Sequence, residues 1–209
     1  MFVNFNVNFT GNRVIDAHVH TGHWYKEGCD GPNYCYDTDS FKHLKTPFLS
    51  NPLSEDVFVK SEIPDYNTVE HAVISGLDVM SDYYTDEFND NKALLNSLEN
   101  DSFYVPLIVC RPDKTDGDSS EVQRLLDELP GEFSGFKFHP DAMNLIASDS
   151  RYDSYMEIAE ENNLPCVFHS EGDGVSGVRA IYDLAKRFPN TPVIMAHMGA
   201  GGIDCHNKA

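Results

Sequence analysis

The sequence predicts an α/β fold in which parallel strands alternate with helices, and three observations carry that reading. From residue 69 onward, short apolar runs alternate with stretches whose apolar residues recur at helical spacing. The runs are apolar throughout, as strands buried on both faces of a parallel sheet must be. The strand-end positions Cys110, His139, His169 and His197 are separated by 29, 30 and 28 residues, the regularity of a repeated βα unit. A doubly wound sheet would give the same alternation, so the placement of polar residues has to separate the two. Five of the nine histidines, His18, His20, His139, His169 and His197, fall at the C-terminal ends of four predicted strands. In a (β/α)₈ barrel those ends surround one mouth, where active sites are built.

Taken in order, Phe5, Val7 and Phe9 alternate with asparagines before a Thr10-Gly11-Asn12 turn, which reads as a short hairpin ahead of strand 14–20. Residues 21–68 hold repeated Gly and Pro, many aromatics and no sustained helical period. A loop of that length in a compact domain is functional or disordered, and directly after the first histidine pair it is placed as a lid. There His23, Trp24, Tyr25, Tyr34 and Tyr36 either contact substrate or pack the loop onto the rim. His71 to Leu77 reads as a strand, Asn91 to Asn100 as a helix with Leu94, Leu95 and Leu98 on one face, and Phe103 to Cys110 as a nearly continuous strand.

Ser120 to Leu129 places Val122, Leu125, Leu126 and Leu129 on one face, and Pro130-Gly131 ends that helix. Strand Gly135–His139 is closed by Pro140. A helical stripe of Tyr152, Tyr155, Met156 and Ala159 follows, then strand Cys166–His169, then a stripe of Val178, Ile181, Tyr182, Ala185 and Phe188. Val193 to His197 is the last strand and runs into Gly199, Gly201 and Gly202.

The 209 residues, 41% hydrophobic and 23% charged, suit one domain, 1–209, with a sizeable core. The first ten residues have no basic segment or long apolar run, so they do not read as a signal peptide. No stretch approaches a membrane span, and a cytoplasmic protein is the expectation. A net charge of −19 repels nucleic acid and anionic membrane. A small-molecule substrate is the expected partner. The five scattered cysteines argue against a disulfide framework.

The chemistry concentrates at the predicted mouth. In strand 14–20, Asp16, His18 and His20 share one face, so two imidazoles can converge on a cation. A single strand-end histidine is usually a satisfied core residue, but five at one mouth are not explained that way. His71 and His43 keep the structural reading. Lys137 shares a face with His139 and points into the same interior.

Four ordered segments, Asp-Ala-His-Val-His (16–20), Gly-Phe-Lys-Phe-His-Pro (135–140), Leu-Pro-Cys-Val-Phe-His-Ser (164–170) and Arg-Phe-Pro…Val-Ile-Met-Ala-His-Met-Gly (187–199), resemble the amidohydrolase superfamily. The nearest branch is amidohydrolase 2, which includes metal-dependent hydrolases and non-oxidative decarboxylases. The resemblance implies a TIM-barrel-type metallo-dependent hydrolase fold. It implies that His18, His20 and His169 bind a divalent metal, Zn²⁺ above others, and that His197 positions or activates water or substrate beside it. Such a metal lowers the pKa of its water toward ~7 and polarises the group attacked. Asp16 is an outer ligand or a strand cap. Lys137 is a catalytic candidate: a carboxylated bridging lysine, a partner for a substrate carboxylate, or half of an interior ion pair. His139, Trp24 and Tyr25 are expected to line the substrate site.

The family's barrel has eight strands and ends with an aspartate that is ligand and general base, whereas this chain shows six strands. The expectation is therefore a barrel truncated after the sixth strand, with edges at strands one and six that a homo-oligomer could cover, and with weak metal binding and slow turnover. The leading activity is hydrolysis of a C–N or C–O bond by metal-activated water. The alternatives are decarboxylation in the same barrel and a catalytically impaired fragment.

Overall fold

A computed structural model describes residues 13–21, 68–76, 86–98, 102 and 104–199 of the chain, the first of these segments by its backbone. The expected N-terminal hairpin, the lid over 21–68 with Trp24 and Tyr25, and Cys29, Cys35 and His43 lie outside the described residues.

The strands follow one another in sequence order within two hydrogen-bonded sheets. They are β1 (Arg13–Thr21), β2 (Thr68–Gly76), β3 (Tyr104–Pro106), β4 (Ile108–Val109), β5 (Phe136–Phe138), β6 (Cys166–Phe168) and β7 (Val193–Met195). The pairings run β1-β2-β3 and β4-β5-β6-β7, all of them parallel. Parallel strands in sequence order with helical connections are the arrangement of a TIM-barrel-type α/β fold.

β3 and β4 are the two halves of the run expected as one strand over 103–110, and the break at Leu107 has a physical cause. Leu107 N–H still donates to Ile74 O of β2 at 2.8 Å. Two residues on, the Asn91 amide replaces β2: it donates to Val109 O at 2.9 Å and accepts from Val109 N at 2.8 Å. The helix carrying Asn91 thus completes the strand where β2 has run out. On the other side Ile108 N and Cys110 N bond Gly135 O and Lys137 O, so the ladder to β5 continues.

The helices are α1 (Glu87–Ser97), α2 (Pro112–Thr115), α3 (Ser120–Glu128), α4 (Pro140–Met143), α5 (Asp153–Glu161) and α6 (Val178–Arg187). Four differ from the sequence reading. α1 begins four residues before the expected Asn91, because Asp86 caps it by accepting from Asn89 N at 2.7 Å and Phe88 enters the core. The short α2 and α4, each starting on a proline, occupy stretches to which the sequence assigned no element. In α6 the buried face is Ala180, Ile181 and Leu184, and Val178 and Tyr182 of the expected stripe are exposed.

Strands β4, β5 and β6 are buried on both faces as expected, whereas Ile194 and Met195 of β7 are exposed. Toward the helices, Ile108, Cys110, Phe136, Phe138, Cys166 and Phe168 pack on Val122, Leu125, Tyr152, Tyr155, Met156 and Ile181. Toward the interior, Leu107, Val167 and Ala196 form a smaller cluster with Val73. Each fully buried large side chain contributes about 1.5–3 kcal/mol. Cys110 and Cys166 belong to this packing as free thiols, and burial pushes both well up, so neither is a thiolate near neutral pH.

One carboxylate sits inside this layer. Glu87 Oε1 accepts from Arg111 N and from Tyr155 OH, and Oε2 has no partner among the described residues. Burial, opposed by those two donors, pushes Glu87 from 4.5 up to about 7. The folded protein therefore holds this proton longer than the unfolded chain does. The stabilisation is complete below pH 4.5 and is lost as pH rises through 7, a loss of up to about 3 kcal/mol. The Glu87→Gln variant is expected to lose that dependence: its stability relative to wild type, read from urea midpoints at pH 4.5 and 8, improves at the higher pH. A difference that does not change with pH would contradict it.

Candidate functional site

Register places three of the predicted histidines in a row. Phe138 of β5 pairs with Phe168 of β6, and the ladder extends one step as His169 N donates to Phe138 O at 2.9 Å. The next residues, His139 and His169, emerge side by side with rings stacked 3.9 Å apart at 11°. Phe168 pairs with Met195 of β7, and the chain then turns through Ala196–Met198. His197 takes a left-handed backbone (φ 61°, ψ 9°), and its ring stands edge-on to His169 at 4.8 Å and 66°. Three adjacent strands thus converge three imidazoles at their C-terminal ends.

Lys137 lies on β5 between Val109 and Val167 and is fully buried. Burial lowers its ammonium to about 8. His139 is lowered to about 4, first by burial and then by the charges of His169 and Lys137. His169 is lowered by burial, then by His197 and Lys137. At neutral pH both rings are uncharged.

The sequence reading missed the carboxylates beside these rings. Asp141, in the first turn of α4, places Oδ2 3.6 Å from His169 Nε2, and Glu171 places Oε2 at the same distance. Neither is a hydrogen bond at that length. One ligand atom each from His139, Asp141 and His169 lies within 4.8 Å of the others, a donor set compatible with a divalent cation. The signal was present in His139-Pro140-Asp141: a proline that starts a helix holds the following aspartate near the strand end.

The tautomer of His139 bears on its role. Its Nδ1 accepts from Ala142 N at 3.2 Å, capping α4. In the neutral ring the proton then sits on Nε2, which makes that atom a hydrogen-bond donor instead of a lone-pair ligand. The donor chemistry fits a cation better at His169 and Asp141 than at His139.

His18 and His20 lie on β1, whose backbone pairs His20 with Ser75 of β2. Their side chains, and those of Trp24 and Tyr25, lie outside the described residues. His71 is exposed with Nδ1 3.2 Å from Ser102 O, as a structural histidine would be. The cleft lined by Leu95, Leu98, Tyr104, Pro106 and Ser134, about 370 Å³, opens at the opposite end of the strands.

A parallel α/β fold of barrel type with histidines gathered at the strand ends defines a class of barrel enzymes. The chain belongs to the amidohydrolase family, in the amidohydrolase 2 branch, which it matches over residues 71–207. No curated protein matches it. Among solved structures it aligns with 4-oxalomesaconate hydratase from Rhodopseudomonas palustris at 16% identity and a TM-score of 0.46. The alignment covers 89% of this chain and 63% of that one, so the chain spans less than two thirds of that protein's length. Among the described residues no helix is long and apolar enough to cross a membrane.

Proposed function

We propose that the chain is a metal-dependent hydrolase that cleaves a C–N or C–O bond of a small substrate. The observation that carries this is the convergence of His139, Asp141, His169 and His197 at the C-terminal ends of adjacent parallel strands. In this reading His18, His20 and His169 hold a divalent cation, zinc by the preference of imidazole donors, with Asp141 the nearby carboxylate. When bound, the cation supplies Lewis acidity to the carbonyl and lowers the pKa of water. The chain's own groups do the rest. His197, beside His169 and exposed, takes the proton from the attacking water and delivers it to the leaving group. His139 donates its Nε2 proton to the substrate oxygen on which charge develops. Lys137 provides a buried cation below them that favours an anionic substrate or transition state.

Zinc titration of the 209-residue chain, followed by assay of an amide, ester and lactone panel, tests the reading. Slow, zinc-dependent hydrolysis supports it. Release of CO₂ from carboxylate substrates without hydrolysis would replace it with the decarboxylase reading. His139→Asn separates ligand from donor, because asparagine keeps the helix cap and loses the ring. Its zinc content is expected to stay at the wild-type level while turnover falls about a hundredfold. Loss of zinc in that variant would make His139 a ligand.

A further inference from the structure

We propose that Ser170 is a positioning residue, holding His197 in the orientation that places its ring against His169; this rests on the role given to His197 above. Ser170 is fully buried, next in sequence to His169, and its side chain crosses to the turn after β7. Its hydroxyl donates to Ala196 O and accepts from Gly199 N at 3.0 Å. Those two groups bracket His197 and Met198, so one hydroxyl closes the turn at both ends.

The closure has work to do because the turn is unfavourable alone. A non-glycine residue in the left-handed region, here His197 at φ 61°, is unfavourable because its Cβ crowds the following carbonyl oxygen. Gly199 is also left-handed at φ 73°, and a Cβ there would stand 2.7 Å from Val178 Cγ2, so the turn is seated against α6. Only a side chain that both donates and accepts can serve Ala196 O and Gly199 N together. Without it, His197 relaxes to negative φ and its ring leaves His169. The tether starts from the residue after His169, so one piece of backbone at 169–170 sets both rings.

The test uses nuclear magnetic resonance on the full chain without added metal, then activity with zinc. In wild type the Gly199 amide is expected to be protected from exchange, and ring protons of His169 and His197 to show a cross-peak. In Ser170→Ala the cross-peak disappears and Gly199 exchanges at least about tenfold faster, while zinc content is unchanged. With zinc and 4-nitrophenyl acetate as the probe, kcat falls about a hundredfold and KM holds. Ser170→Thr, which keeps the hydroxyl, restores the cross-peak and the rate.

An unprotected Gly199 amide in wild type, or a cross-peak that survives Ser170→Ala, overturns the proposal, and the wild-type measurement stands even if a variant does not fold. Adding Ser170→Ala to His197→Ala is expected to slow turnover no further, and an additive loss would also overturn it. If His197→Ala alone keeps full zinc-dependent turnover, the catalytic reading of His197 fails, and the two resonance measurements alone decide whether Ser170 sets the ring.

Discussion

The His169→Ala variant is expected to emerge from dialysis without zinc and to lose metal-dependent turnover entirely. His169 is where the site's contacts meet: its ring stacks on His139, takes the edge of His197, and lies 3.6 Å from both Asp141 and Glu171. Losing an outer partner of a metal site costs about 10–100-fold in affinity or activity, and loss of a ligand should exceed that. Asp141→Asn provides the scale, with zinc affinity expected to fall within that 10–100-fold span. The fold should survive both changes, since His169 adds little to the apolar packing and a substitution outside the core shifts stability by about 0.5 kcal/mol or less. Zinc per chain, measured by mass spectrometry alongside the thermal midpoint, separates the outcomes. A His169→Ala protein that retains zinc near the wild-type level would sink the metal assignment.

The strand ends were legible because two independent periodicities agree there. Apolar runs located the strands to within a residue or two, except that β2 begins three residues before the expected His71, and the βα spacing placed Cys110, His139, His169 and His197 at equivalent positions. Parallel register then had only to hold for the rings to meet. What was hidden depends on contacts distant in sequence. Asn91 read as an ordinary helix residue, but its amide substitutes for a strand at Val109. Glu87 fell outside every assigned element, because a buried carboxylate leaves no pattern until Tyr155 and Arg111 are seen around it. The face of α6 was misjudged because Val178 and Tyr182 fit a helical stripe, and only packing shows that Ala180 and Leu184 take the inner side. Ser170 stood in the recognised segment without a role, since its partners Ala196 and Gly199 lie 26 and 29 residues on.

Phe138→Ala is expected to be the costliest core substitution, lowering stability by about 3–5 kcal/mol. Phe138 is fully buried, stacks on Phe168 at 4.7 Å and 20°, and meets Tyr152 and Tyr155 edge-on at 5.4 and 6.0 Å. Removing the ring empties the centre of that aromatic cluster, and the rigid strands on either side cannot close the gap. Phe138→Leu, which fills part of the volume, should cost distinctly less. Urea midpoints at constant slope measure both, and a loss below about 1 kcal/mol for the alanine variant would show that the cluster repacks. The effect should reach the proposed metal site as well. The phenyl pair on the helix side and the imidazole pair on the mouth side are successive residues of the same two strands, so one register serves both. Under conditions where Phe138→Ala is still folded, its zinc affinity should fall, whereas a core change remote from β5 and β6, such as Leu94→Ala, should leave affinity unchanged at similar loss of stability.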